Sequence, residues 1–517
     1  MKTIGSARIL FSCLWIFALC ALPAWAGVKL ASPFTDHMVL QRELPVPVWG
    51  VADAGAKITV TFAGQVKTAV ASAAGDWRVE LDPLKTSSEA QTLAITDSTA
   101  STVELHDVLV GEVWLCSGQS NMDFTVAKTP KYYFAGVTNE AEEVAAANYP
   151  RIRMFTAEWM KSYEPQHSVT GVWRICTPEN VREFSAIGYF FARQLQREID
   201  VPVGIVTLTF GASTPQAWVR REAIAADPRL KPSLEKYDAE VATFKTNPEV
   251  PKQFAKKQAE WDAAAEEARA KGLKAPRRPR DPNPVQDQHN PTVLFNGMVA
   301  PVMPFAVRGV LWYQGESITA PRELFPIWNE TLIKDWRKLW GRELPFYFCQ
   351  LAAQDAASNG PEVREMQARA LTLPGTAMAV TIDIGEKTNV HPRNKQDVGD
   401  RLARIALAKQ YGKPIEWSGP VYETMALEGA TIRLKFSHAT ALAARGGSLK
   451  TFEIAGADGK FVSAEAKIDG ENVIVSSASV LAPTVVRYAW AAYPEGCNLY
   501  NAAGLPAAPF RTDSGRL

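Results

Sequence analysis

From residue 28 to about 108, apolar and polar positions alternate over short stretches. Val46-Pro47-Val48-Trp49-Gly50 and Ile58-Thr59-Val60-Thr61-Phe62 are β-branched runs, and Gly75-Asp76-Trp77 reads as a turn between strands. Strands this short and this close together predict a small β-sandwich-like domain over 27–108. From 109 to about 417 the pattern changes. Near-continuous apolar runs, among them Val113–Cys116, Val203–Leu208, Val307–Trp312 and Ala377–Ile382, are separated by helical segments. Strands without alternation are strands buried on both faces, so the pattern predicts an α/β domain built on a parallel sheet. Residues 219–290 interrupt it. Leu234, Tyr237, Val241 and Phe244 recur at helical spacing, and Lys274-Ala275-Pro276-Arg277-Arg278-Pro279-Arg280 is basic and proline-rich. That region predicts a helical insertion ending in an extended loop. From 418 to 517 β patterning returns, as in Ala430–Phe436.

The first 26 residues have the composition of a secretory leader. Lys2 and Arg8 precede the apolar run Ile9–Leu22, and Ala24-Trp25-Ala26 carries the small-x-small pattern of a cleavage site. Cleavage after Ala26 predicts an exported protein, periplasmic or secreted, with no membrane attachment once the leader is removed. The 517-residue chain has 56 basic and 55 acidic residues, and loss of Lys2 and Arg8 leaves the rest near neutrality. Such a balance offers no electrostatic basis for binding nucleic acid or an anionic membrane. Cys116, Cys176, Cys349 and Cys497 remain after cleavage, too few for a disulfide scaffold. Cys116 and Cys349 lie in apolar runs and read as buried thiols.

Candidate chemistry begins at Gly111-Glu112-Val113-Trp114-Leu115-Cys116-Ser117-Gly118-Gln119-Ser120-Asn121-Met122. A buried strand, a tight turn through Gly118 and an incipient helix would present the Ser120 hydroxyl at a strand end. The plainer reading of Ser120 is a helix N-cap. Met122 stands where a GxSxG elbow needs its second glycine. A serine nucleophile needs a base, and among six histidines His391 is placed best. It follows the strand Ala377–Ile382 and precedes a helix face of Val398, Leu402, Ile405 and Ala406, with Pro392 near the helix start. Such strand-to-helix loops carry the sites of α/β sheets. An orienting carboxylate can come from Asp383 or Glu386, or a backbone carbonyl can do the work instead. Oxyanion donors are sought in the backbone N–H groups of Ser120 and Gly211 and in the Gln314 side-chain amide. Asn121 is a further donor or a cap, and Glu316 an acid or, more plainly, a structural partner. No HExxH or clustered His/Cys/Asp set suggests a metal, and no motif suggests a cofactor.

The strings GEVWLCSGQSNM, LFNGM, GVLWYQGES, NVHPRNKQDVGDRLA and NLYNAAGLPAAPFRTD together resemble the sialate O-acetylesterases, a branch of the SGNH hydrolases. The resemblance implies a flavodoxin-like three-layer hydrolase domain over 109–417 with β-rich regions on either side. It implies a metal-independent serine esterase that removes O-acetyl groups from sugars, with Ser120 as nucleophile, His391 as base, and Gly211 and Gln314 as oxyanion donors. Three places depart from the pattern: Thr388 stands three residues before the histidine where many superfamily members have aspartate, Asn389-Val390-His391-Pro392 stands where many relatives read Asp-Ile-His-Pro, and Ile318 follows Ser317 where relatives often have asparagine. A Ser–His dyad, or an acid from elsewhere such as Asp383, therefore stays open. O-acetylated sialic acid is the implied substrate, with acetylxylan or another plant polysaccharide as the alternative. Asn121, Trp312, Tyr313 and Glu316, with Trp218, are the candidate sugar contacts. A non-catalytic carbohydrate-binding protein is the competing class, which the intact Ser120 and His391 pair opposes.

Overall fold

A computed structural model describes residues 27–319, 321–355 and 360–513. The leader expected at 1–26 lies outside them. Among the described residues no helix is long and apolar enough to cross a membrane.

The N-terminal region is all-β, as its alternation predicts. In the strand Asp76–Leu81, Trp77, Val79 and Leu81 are buried while Asp76, Arg78 and Glu80 are exposed. That two-residue period is what one-sided burial of a pleated strand requires. The strand Ser87–Thr96 pairs antiparallel with the first half of a long strand, β1 (Thr102–Gly118). β1 runs through the expected 108/109 boundary without a break and becomes the central strand of the next sheet. Glu112, fully buried on β1, holds the join together. It accepts from Arg42 at 2.5 Å and from Arg308 at 2.7 Å, so one carboxylate ties the N-terminal region to two parts of the fold.

The central sheet adds β2 (Tyr149–Ala157), β3 (Gly171–Cys176), β4 (Val203–Thr209), β5 (Gly309–Tyr313), β6 (Phe346–Cys349) and β7 (Thr376–Ala379). Its order is β3-β2-β4-β1-β5-β6-β7. All neighbours are parallel except the edge pair β3 and β2. The sheet has an apolar core on each face. Trp114 and Cys116 of β1 pack on the side of α2 (Ala186–Ile199), and Val113 and Leu115 on the opposite side. Two-sided burial explains why these strands carry no polar alternation.

The stretch 219–290 contains the helices α3 (Arg221–Ala226), α4 (Lys231–Thr246) and α5 (Glu249–Ala270). Leu234, Tyr237 and Val241 are buried on one face of α4. The stretch 274–280 forms neither helix nor strand, and its Arg278 lies over the Trp261 ring at 5.6 Å. On the central sheet, α6 (Phe325–Trp340) buries Leu332, Ile333 and Trp336 on the Val113 side, while α7 (Pro361–Ala368) follows β6. α8 (Lys395–Gln410) packs against α2 and buries Val398, Leu402, Ile405 and Ala406, the face read from the sequence. Its start differs from the expectation. Asn394 is the N-cap, accepting from the Asp397 N–H at 3.1 Å, and Pro392 lies ahead of the helix rather than in its first turn. The C-terminal region is β-rich, including a four-stranded antiparallel sheet that contains Thr431–Ser437. Cys116, Cys176, Cys349 and Cys497 are free thiols, the first three of them buried.

Candidate active site

Three parallel neighbours, β4, β1 and β5, end side by side; after β1 the chain lays β2, β3 and β4 on one side of it and then crosses to β5, β6 and β7 on the other. Such a reversal opens a crevice at the carboxyl ends of the strands. Ser120 follows β1 directly. Gly118 turns the chain at φ 133°, and a Cβ built there would stand 2.1 Å from the Tyr313 carbonyl oxygen. Only glycine lets β1 and β5 close up at this point. The Gln119 N–H then donates to that same carbonyl at 2.9 Å, which fixes the exit angle of Ser120–Asp123, the short helix α1.

Ser120 and His391 meet across 271 residues of chain. Ser120 Oγ and His391 Nε2 are 2.8 Å apart, the separation of a hydrogen bond along which a proton can pass. The imidazole is half-buried, with the Phe134 ring against it at 4.4 Å between centroids. Burial, with a smaller contribution from the nearby Lys395 ammonium, lowers its pKa to about 4. At neutral pH the ring is therefore uncharged and free to accept.

Neither carboxylate proposed from the sequence orients that ring. Asp383 is locked in a two-pronged pair with Arg401, both contacts at 2.7 Å, and also accepts from the Tyr500 hydroxyl at 3.1 Å. Glu386 accepts from the Asn389 amide at 2.9 Å and from the Arg393 N–H at 2.7 Å. Among the described residues no carboxylate hydrogen-bonds the His391 ring. The loop is held through its backbone instead. Asn389 accepts from the His391 N–H at 3.0 Å and donates to the His391 carbonyl at 2.9 Å. Asn121 donates to the Val390 carbonyl at 2.9 Å, and Lys395 Nζ donates to the Pro392 carbonyl at 2.7 Å.

Asn121 is thus not a free sugar contact. It is buried, its amide also donates to Glu316, and its oxygen accepts from Lys395 Nζ at 2.7 Å. Glu316 is the structural partner, with burial holding its pKa above the usual carboxylate range and leaving one oxygen unpartnered. Burial likewise brings Lys395 down to about 7, opposed by Glu316. Lys395 and Asn389 were missed as functional residues. Both lie in the string that carries the resemblance, but nothing in a sequence marks a lysine as buried.

Gly211 lies where expected. A Cβ built on it would come no closer than 3.9 Å to Ser120 Cβ, and its N–H has no acceptor among the described residues. Gln314 does not serve as a donor to the crevice. Its amide nitrogen donates to the Ser317 carbonyl at 2.7 Å and lies 3.2 Å from both the Ser213 carbonyl and Gln119 Oε1. Two N–H groups shared among three acceptors leave none for an oxyanion. Trp312 and Tyr313 are core residues rather than sugar contacts. Trp312 is 4% exposed and packs between Trp218 and Trp336, and Tyr313 is 1% exposed. β5 is buried on both faces, so its aromatics cannot reach the crevice.

Among the described residues no group of three or more His, Cys, Asp or Glu side chains is placed to hold a metal ion. The serine and histidine pair, with an unobstructed Gly211 N–H beside it, is suited to acyl transfer from an ester.

Known proteins agree with that chemistry. Mouse (Mus musculus) sialate O-acetylesterase is 29% identical over an alignment of 562 residues, covering 96% of this chain and 96% of the mouse protein. The human (Homo sapiens) sialate O-acetylesterase is 28% identical over 537 residues, covering 94% and 93%. The crystal structure of a carbohydrate acetylesterase from Xanthomonas citri superposes with a TM-score of 0.78 at 35% identity, over 94% of this chain and 100% of that one. The family model described as carbohydrate esterase, sialic acid-specific acetylesterase matches residues 110–269 and 288–408, more than half the chain, and the chain belongs to that family.

Proposed function

We propose that this carbohydrate O-acetylesterase acts on O-acetylated sialic acids, with Ser120 as nucleophile and His391 as its base. The 2.8 Å contact between Ser120 Oγ and His391 Nε2 carries the assignment. With Nε2 as acceptor, the ring proton resides on Nδ1. His391 takes the Ser120 proton as Oγ bonds to the acetyl carbonyl carbon. The resulting oxyanion is met by the N–H groups of Ser120 and Gly211, each such donor being worth about 3 kcal/mol in the transition state. His391 then gives its proton to the departing sugar oxygen, leaving acetyl-Ser120. Water, deprotonated by His391, attacks the acetyl group, and acetate leaves as the proton returns to Ser120.

The base operates without an orienting acid. Asn121 and Lys395 hold the carbonyls on either side of His391, and Asn389 holds both backbone groups of His391 itself. A loop pinned at four backbone atoms presents one ring position, which is the service an aspartate performs in a triad. The Lys395 charge keeps the ring neutral as well.

The parallel sheet with a core on each face supports a flavodoxin-like SGNH domain over 109–417, with the insertion at 219–290 and flanking β regions at 27–108 and 418–517. The composition of 1–26 supports export. Acetate release from O-acetylated sialic acid and from acetylated xylan, measured side by side with Ser120→Ala as control, tests the reading. Serine-dependent release with preference for the sialic acid supports it. Preference for xylan keeps the mechanism and moves the substrate to plant cell-wall polysaccharide.

A further inference from the structure

A row of aromatic side chains connects the two halves of the dyad. It begins at Phe134, whose half-buried ring lies 4.4 Å from the His391 ring. Tyr132 stands behind, edge-on to Phe134 at 6.3 Å and to Trp159 at 6.2 Å. Trp159 meets Phe210 at 5.2 Å. Phe210 donates its N–H to the Gly118 carbonyl at 3.0 Å and directly precedes Gly211, beside Ser120. One end of the row therefore touches the base, and the other belongs to the residue that leads into Gly211, beside Ser120.

Tyr132 is buried in the core, but the rest of this aromatic wall is not. Trp159 is 43% exposed, and Phe134 and Phe210 are each half-buried. An indole left open beside a nucleophile is an apolar surface awaiting a flat partner, and the apolar face of a pyranose ring is one. The wall also carries positive charge. Lys131 Nζ sits 5.0 Å from the centroids of both Tyr132 and Trp159, and Lys161 Nζ lies 5.1 Å from that of Phe210. Lys161 donates to the Gln286 carbonyl at 2.5 Å. Lys131 is exposed and has no carboxylate within ion-pair distance among the described residues, although its field reaches the buried Asp123 carboxyl and opposes the rise in pKa that burial imposes there.

We propose that this wall is the sugar subsite: Trp159 and Phe210 stack on the pyranose ring, and Lys131 pairs with the carboxylate of an acidic sugar. The assignment rests on the proposed function and names the residues that give it an acidic substrate. It also supplies what the buried Trp312 and Tyr313 cannot, aromatic surface exposed to solvent.

The test compares an O-acetylated sialic acid with the carboxamide of the same sugar, which differs only in charge. An exposed ammonium–carboxylate pair is worth up to about 1 kcal/mol, so Lys131→Met should cut kcat/KM for the acid about fivefold relative to the amide. Lys131→Arg should restore the preference. Trp159→Ala should raise KM about tenfold for acid and amide alike, because stacking does not read charge. Thermal midpoints of the variants separate these effects from unfolding. Equal loss on both sugars in Lys131→Met overturns the charge assignment, and unchanged KM in a folded Trp159→Ala overturns the stacking assignment. Wild-type turnover of p-nitrophenyl acetate and of the amide, with none of the acid, overturns the acidic substrate while leaving the esterase chemistry standing.

Discussion

Asn121, the residue after Ser120, donates its side-chain amide to the carbonyl oxygen of Val390, the residue before His391, at 2.9 Å. The neighbour of the proposed nucleophile thereby holds the neighbour of the proposed base, which ties the two loops together. Lys395 completes the tie by bonding both the Asn121 oxygen and the Pro392 carbonyl at 2.7 Å.

The tie has a kinetic signature. Activity requires neutral His391, so kcat/KM should rise as pH climbs through about 4 and level off toward neutrality. Lys395→Met removes a positive charge that depresses the His391 pKa, so the acid limb should move upward toward the ordinary histidine value. It also releases the Pro392 carbonyl, and misplacing the base should cost about 10²-fold in kcat. An acid limb that stays put in a folded Lys395→Met protein would reject the electrostatic half of this account.

Stability should follow pH in a related way. The folded-state pKa of His391 lies below its unfolded value, so between the two the unfolded chain binds more protons. This residue's contribution is present in full above about 6.5 and is lost as pH falls toward about 4. Thermal midpoints of wild type and His391→Gln across that window measure it, the wild type losing more on acidification.

Asp383→Asn separates the dyad from a triad. The pair with Arg401 is buried, and halving it leaves an uncompensated guanidinium, which costs about 3 kcal/mol of stability. Turnover by the protein that remains folded should stay near wild type with the same acid limb. A drop near 10⁴-fold, as the loss of an orienting aspartate produces, would reinstate Asp383 as the third member.

Ser120→Ala should abolish acetate release, by about 10⁴-fold or more, with the fold retained, because Ser120 is only partly buried and its hydroxyl bonds the His391 ring rather than the fold's core. Gly118→Ala should fail differently. Its Cβ would meet the Tyr313 carbonyl at 2.1 Å, so β1 and β5 must separate, and both thermal stability and activity should fall.

Much of this was legible from residues alone. Uninterrupted apolar runs such as Val203–Leu208 announced a sheet buried on both faces, since a strand with one wet face must alternate. Gly118 before Ser120, and His391 between a strand and an apolar helix face, marked the proposed dyad because strand ends of such sheets are where loops converge. The helical spacing of Leu234, Tyr237 and Val241 identified the helix α4. What misled was proximity in sequence. Asp383 and Glu386 are close to His391 along the chain, yet one serves Arg401 and the other Asn389 and Arg393. Trp312 and Tyr313 flank the motif that contains Gln314, yet strand geometry buries them.

The sequence by itself determined the classes of element, the order of their patterns and the candidates for the proposed reacting pair, because periodicity and strand-end glycines are local properties. Tertiary structure alone decided which polar groups are spent and which are free. Gln314 has the right chemistry for an oxyanion donor, but the Ser213 and Ser317 carbonyls already take its protons. Lys395 has the chemistry of a surface residue, but packing places it under the dyad. Whether a hydrogen-bonding group is available depends on partners brought from 100 or more residues away, as Ser213 and Gln314 illustrate at a separation of 101, and no local pattern records that.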